Sequence, residues 1–114
     1  MIDPDRPPRW WTVAEANDAL PRVNAAIDRA KGAAASLSGN GHRTTITFEE
    51  VVTELEADGI VLRDFSQGLV DFPAQAPNGR GYWLCWLVGE PEVAWWHWPE
   101  DGFAGRRPLT APPE

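Results

Sequence analysis

Apolar positions along the chain keep first a helical rhythm and then a strand-like one. Val13, Ala16, Leu20, Val23, Ile27 and Ala30 recur at alternating spacings of three and four, which puts one apolar stripe on a helix. Thr12 and Glu15 predict its start as a capping box, the hydroxyl taking an orphan amide while the carboxylate reaches back to the cap. Trp11 stands in the staple position before that cap. Pro21 falls inside the stripe, and its missing N–H predicts a kink or a new segment there. The rhythm fades after Lys31, and Gly39-Asn40-Gly41 is a strong breaker. A second capping box, Thr47 to Glu50, opens a helix whose face is Phe48, Val51, Val52 and Leu55. Glu49 and Glu50 suit the positive end of its dipole, and Gly59 before Ile60 predicts a Schellman stop.

From Ile60 the period shortens. Ile60 to Phe65 is a short strand, Ser66-Gln67-Gly68 a turn, and Leu69 to Phe72 a second strand that Pro73 should stop. Asn78-Gly79 signals another turn. Tyr82 to Val88 then predicts a strand, Gly89-Glu90-Pro91 a tight turn, and Glu92 to Trp98 the return strand. With that turn, Val88 faces Pro91, Cys85 pairs with Ala94, and His97 pairs with Tyr82. Cys85 and His97 then lie on opposite faces, and a one-residue slip would bring them together. Phe103-Ala104-Gly105 reads as a compact turn. The expected architecture is α+β: an N-terminal antiparallel helical pair followed by a small antiparallel β-sheet with a Trp-rich hairpin. Residues 1–11 are expected as a flexible N-terminal tail, 12–109 as one domain, and 110–114 as a C-terminal tail.

Several strings carry a resemblance. Gly68-Leu69-Val70-Asp71-Phe72-Pro73, Leu84-Cys85-Trp86, Gly89-Glu90-Pro91-Glu92-Val93, Trp96-His97 and Gly102-Phe103-Ala104-Gly105-Arg106 are similar to those of the bacterial domain of unknown function 2203 family. Thr12 to Asn17 and Leu20-Pro21 match that family's helical start. The resemblance implies helices followed by a small antiparallel sheet, and implies no activity, catalytic residue or cofactor.

A net charge of −7 and the lack of a basic stripe argue against nucleic acid and anionic membrane surfaces as partners. No apolar run approaches the ~20 residues of a spanning helix, and the start of the chain has no secretory pattern. A single cysteine excludes an internal disulfide. A cytoplasmic protein is the expectation.

The chemistry concentrates between Arg80 and Leu109, which holds five of the seven tryptophans, the only Tyr and the only Cys. Trp83, Trp86, Trp95 and Trp96, with Phe103, either fill the core and pair across strands or present an aromatic surface to a partner. Cys85 and His97 are the candidate metal ligands; Glu90, Glu92 and His42 lack ligand spacing. Mid-strand between Leu84 and Trp86, Cys85 is expected to be an inert thiol. Arg80 and Arg106 are expected to converge at the Trp98 end of the hairpin around a carboxylate, either Asp71 or Glu100 of this chain or a small anionic ligand. No phosphate loop, zinc-protease helix or serine elbow is present.

The leading expectation is therefore a small non-enzymatic binding or adaptor protein, self-associating or paired with another protein through its aromatic hairpin. The alternative is a small-molecule or metal-binding domain, serving an enzyme as an accessory, that uses Arg80, Cys85, His97 and Arg106. Light scattering at low micromolar concentration is expected to report twice the monomer mass, a symmetric dimer being the commonest soluble oligomer. A monomer at every concentration would remove self-association from the reading.

Overall fold

The capping box forms as its spacing predicts. Glu15 N donates to Thr12 Oγ1 at 3.1 Å and Thr12 N donates to Glu15 Oε1 at 3.0 Å. In this computed structural model, which describes residues 2–3, 5–37 and 48–113, helix α1 runs Val13–Leu37 and helix α2 runs Phe48–Ala57. α1 passes through Pro21, whose side is exposed while Leu20 and Val23 on the flanking positions are buried. Burial of that stripe outweighs the one hydrogen bond the proline removes. The helix also continues past Lys31, where alanines of high helix propensity replace the apolar rhythm. Ala16, Leu20, Val23, Ile27 and Ala30 of the stripe are buried, but Val13 is exposed. The Gly39–Gly41 breaker, Thr47 of the second capping box and His42 lie outside the described residues.

Ion pairs Arg22–Asp58 and Arg29–Glu54 show that the helices run antiparallel, since ascending one means descending the other. Gly59, at φ 83°, closes α2 with both bonds of a Schellman motif: Ile60 N donates to Leu55 O and Gly59 N to Glu56 O.

Five antiparallel strands follow in meander order: β1 Val61–Asp64, β2 Leu69–Gln75, β3 Gly81–Leu87, β4 Trp95–His97 and β5 Arg107–Pro108. β2 is longer than expected because it continues through Pro73. The β1 ladder ends at Asp71, so Pro73 needs no amide on that side, and its carbonyl instead accepts from Trp11 N at 2.8 Å. In β1 the register shifts between Leu62 and Asp64, which leaves Arg63 as the extra residue of a bulge.

The largest correction concerns β3 and β4. Trp83 pairs with His97, Leu84 with Trp96 and Cys85 with Trp95, one residue away from the expected register. The connection is no tight turn. It spans Val88 to Ala94, where Glu90 accepts the Leu87 N–H at 2.7 Å in place of a strand partner and Asn17 of α1 takes Val93 N at 2.7 Å. The slip puts Cys85 and His97 on one face.

One sheet face, with Val70, Phe72, Ala74, Leu84 and Trp86, packs with the helices in a continuous core. The other face carries Asp71, Pro73, Trp83, Cys85 and His97. Chain ends expected as tails lie against the body: Ile2 is buried with Val61 and Trp83, Asp5 Oδ1 accepts from Gly81 N, and Ala111 O accepts from Trp96 Nε1. No helix among the described residues is long and apolar enough to cross a membrane.

Ile27, 1% exposed, anchors the helical stripe. Ile27→Ala is expected to lower stability by ~2–5 kcal/mol, read as a shift in urea midpoint at unchanged slope. A loss below about 0.5 kcal/mol, the range of surface substitutions, would mean that the stripe is not core.

Candidate metal centre

Asp71 is a charged residue in a strand whose other buried residues are apolar, with its side chain 2% exposed. A buried carboxylate is stable only with partners, and three elements supply them. The β1 bulge aims Arg63, whose Nε donates to Asp71 Oδ2 at 2.9 Å. The β3–β4 register brings His97, whose Nε2 lies 3.0 Å from the same oxygen. Cys85, directly across from Asp71 in the β2–β3 ladder, completes the group. One ligand atom from each of Asp71, Cys85 and His97 lies within 4.8 Å of the others, and all three residues are buried.

The hydrogen bonds around His97 constrain its chemistry. Nδ1 is 2.9 Å from the Trp98 carbonyl, which can only accept, so Nδ1 carries a proton. A neutral imidazole would then point the Nε2 lone pair at a carboxylate. A proton or a metal ion on Nε2 resolves that conflict. Without metal, burial works against the imidazolium, yet the hydrogen bond and charge of Asp71, with the Trp98 carbonyl, hold His97 above the ordinary imidazole value. Burial, aided by Asp71, pushes the Cys85 thiol up to about 12. The lone cysteine is therefore no thiolate nucleophile at neutral pH unless a cation joins it. Asp71 Oδ1, meanwhile, is buried with no hydrogen-bond partner.

Asp71 and His97, but not Cys85, form part of the wall of a cavity of about 240 Å³, which is completed by Arg63, Leu69, Pro99, Gly102 and Phe103. Phe103 is 42% exposed at its rim. Arg63 also stacks on Trp83, with 4.6 Å from guanidinium to ring centroid.

The other candidates are placed differently. Arg80 and Arg106 do not share an anion. Arg80 pairs with Glu100 and lies over Trp98, holding the Glu100 carboxyl below the usual range. Arg106 reaches back along the sheet to Glu90 at 2.6 Å and Cys85 O at 3.2 Å, between the rings of Trp95 and Phe103. The side chains diverge because Glu90, which shapes the β3–β4 connection, captures Arg106. Trp83, Trp86 and Trp96 are buried, while Trp95 is partly covered.

A sequence model described as "Uncharacterized conserved protein (DUF2203)" matches residues 28–109. The chain belongs to the DUF2203 family. No curated protein and no solved structure matches it. The span matched to DUF2203 contains Arg63, Asp71, Cys85, His97, Phe103 and Arg106, whereas the helical start at Thr12 to Pro21 precedes it. Within this DUF2203 chain, sequence reasoning offered Asp71 only as a carboxylate for Arg80 and Arg106, not as a ligand beside Cys85 and His97, and missed Arg63 altogether. The signal for Asp71 was a carboxylate in the run Leu69 to Phe72; for Arg63 there was none, because a bulge aims it.

Asp71→Asn keeps the shape of the side chain and removes the charge that Arg63 and His97 face. It is expected to lower stability by ~3–5 kcal/mol, the range for breaking a buried charge pair, read as a fall in urea midpoint. An unchanged midpoint would show that the cluster is not held by Asp71.

Proposed function

We propose that this chain is a metal-binding domain whose ion is of the zinc class, held by Asp71, Cys85 and His97. The observation that carries the reading is the convergence of three buried ligand atoms on one spot where Asp71 Oδ1 has no other partner. Thiolate, imidazole and one carboxylate form a donor set that suits zinc over magnesium or calcium. The surroundings support the same reading. A metal-ligating histidine usually donates its second N–H to a carbonyl or carboxylate, as Nδ1 does to Trp98 O, and ligating carboxylates are themselves hydrogen-bonded, as Oδ2 is by Arg63. Tetrahedral zinc would set these donors roughly 3.3–3.6 Å apart, so from separations within 4.8 Å the widest pair would close by up to about 1.2–1.5 Å. A reducing cytoplasmic setting, which would keep Cys85 as a free thiol, fits this use.

The second reading, a self-associating adaptor with an aromatic surface, draws on the exposure of Phe103. The two readings separate by elemental analysis. Protein purified without a histidine tag is expected to carry about one zinc-class ion per chain, and Cys85→Ala and His97→Ala to carry none. Metal-free protein that also shows no thermal shift with added Zn²⁺ would refute the metal reading and leave the adaptor one.

A further inference from the structure

The helices pack with the face that carries Val70, Phe72, Leu84 and Trp86, yet Trp83 and Cys85 on the opposite face are buried too. Part of the cover on that face comes from the segment before α1. Its Trp11 is fixed on the helical side: the ring packs edge-on to Phe72, Nε1 donates to Gly59 O at 3.1 Å, and N donates to Pro73 O at 2.8 Å. Its Ile2 lies on the other side, clustered with Val61 and Trp83 apart from the main core. The segment therefore passes from one face of the sheet to the other. Asp5 pins it on the way, its Oδ1 accepting Gly81 N at the start of β3 at 3.1 Å. Pro7 and Pro8 have no amide to offer a strand, so this stretch is suited to lie across the sheet as a strap and not to extend it.

The two residues clustered with Ile2 are neighbours of the metal ligands. Val61 stands across from Asp71 in the β1–β2 ladder, and Trp83 across from His97 in the β3–β4 ladder. Trp83 is also two residues from Cys85 along β3, so the two share a face. The cavity reaches Asp71 and His97 but not Cys85. For all three donors to close on an ion, side chains packed around Cys85 must yield. On one side Trp95 lies under Arg106, which Glu90 fixes at 2.6 Å. On another stands Trp83, held by the strap. The strap is the easier cover to lift, because its Ile2 end rests on a small satellite cluster, and regions with few buried apolar contacts open at lower free energy than the core.

We propose that the segment before α1 is a strap whose Ile2 end lifts from Val61 and Trp83 to let a zinc-class ion reach and leave Cys85, and so sets the rate of metal exchange. This rests on the metal reading above, and the experiment separates the two. The full chain is loaded with one equivalent of Zn²⁺, and loss of the ion to excess pyridylazoresorcinol, a chelating dye, is timed in wild type, Ile2→Ser and Asp5→Ala. Ile2→Ser is expected to release zinc at least fivefold faster than wild type, and Asp5→Ala to release it faster as well. Asp5 is exposed, so its substitution tests the strap even where Ile2→Ser does not fold. Labelling of Cys85 by a disulfide reagent in the metal-free wild type reads the same opening. Below the unfolding transition its rate is expected to be nearly independent of urea, since lifting a strap exposes little surface. A wild-type chain that takes up no Zn²⁺ would refute the metal centre, and the gate with it. Zinc held, but released at one rate by wild type and both variants, would leave the metal centre standing and overturn the strap. Labelling that rises with urea at the slope of global unfolding would also overturn it, because the thiol would then be reached only through the unfolded chain.

Discussion

The register between β3 and β4 decides what the open face of this sheet contains. Strand side chains alternate with period two, so a shift by one residue exchanges every residue of β4 between faces. With Trp83 opposite His97, the imidazole joins Asp71 and Cys85, and Trp96 goes to the opposite face. In the other register the imidazole would face the helices, and Asp71 would lose one of its partners. The register depends in turn on Glu90, whose carboxylate accepts Leu87 N–H and Arg106 while its carbonyl accepts Trp86 Nε1. One acidic residue thus ends β3, shapes the connection and indirectly places His97.

The two sheet faces solve different physical problems. The helical face buries aliphatic and aromatic surface, the dominant favourable contribution to folding. The open face buries charge, which costs several kcal/mol per ion before partners repay it. Two devices reduce that cost: the bulge that turns Arg63 onto Asp71 and the Trp98 carbonyl that orients His97. A buried charged cluster adds little stability compared with an apolar replacement, so its presence in a domain this small points to use rather than to structure alone.

Local signals were legible and long-range ones were not. Thr12 and Glu15 lie three residues apart, and Gly59 and Leu55 within about one helix turn, so the start of α1 and the end of α2 could be read from neighbours alone. The succession of β1 to β4 was legible from the turn signals between them, whereas β5 was not foreseen. The β3–β4 register did not, because one of its determinants is Asn17, 76 residues from the Val93 amide it holds. Pro73 misled for a similar reason: whether a proline ends a strand depends on whether a neighbour asks for its amide, and there β1 has already stopped. The candidate pair Cys85 and His97 was visible as residue types. Asp71 was visible only as an oddity among apolar neighbours, and Arg63 gained its place through an irregularity that no periodicity carries.

The tryptophans acquire a different meaning once this geometry is in view. Their density in one hairpin suggests a sticky surface, but Trp83, Trp86 and Trp96 are buried. Several of the rings instead carry cations. Arg63 lies over Trp83, Arg80 over Trp98, Arg106 over Trp95 and Arg107 over Trp96. A ring face attracts a guanidinium without adding a charge of its own, and each of these rings adds to a carboxylate: Asp71 for Arg63, Glu100 for Arg80, Glu90 for Arg106 and Asp101 for Arg107. That matters for the metal reading proposed above, because of these carboxylates only Asp71 lines the cavity, and further acids there would compete for the ion. The arginines are thus held from two sides, by a carboxylate and by an indole ring, while the cavity wall carries a single acid.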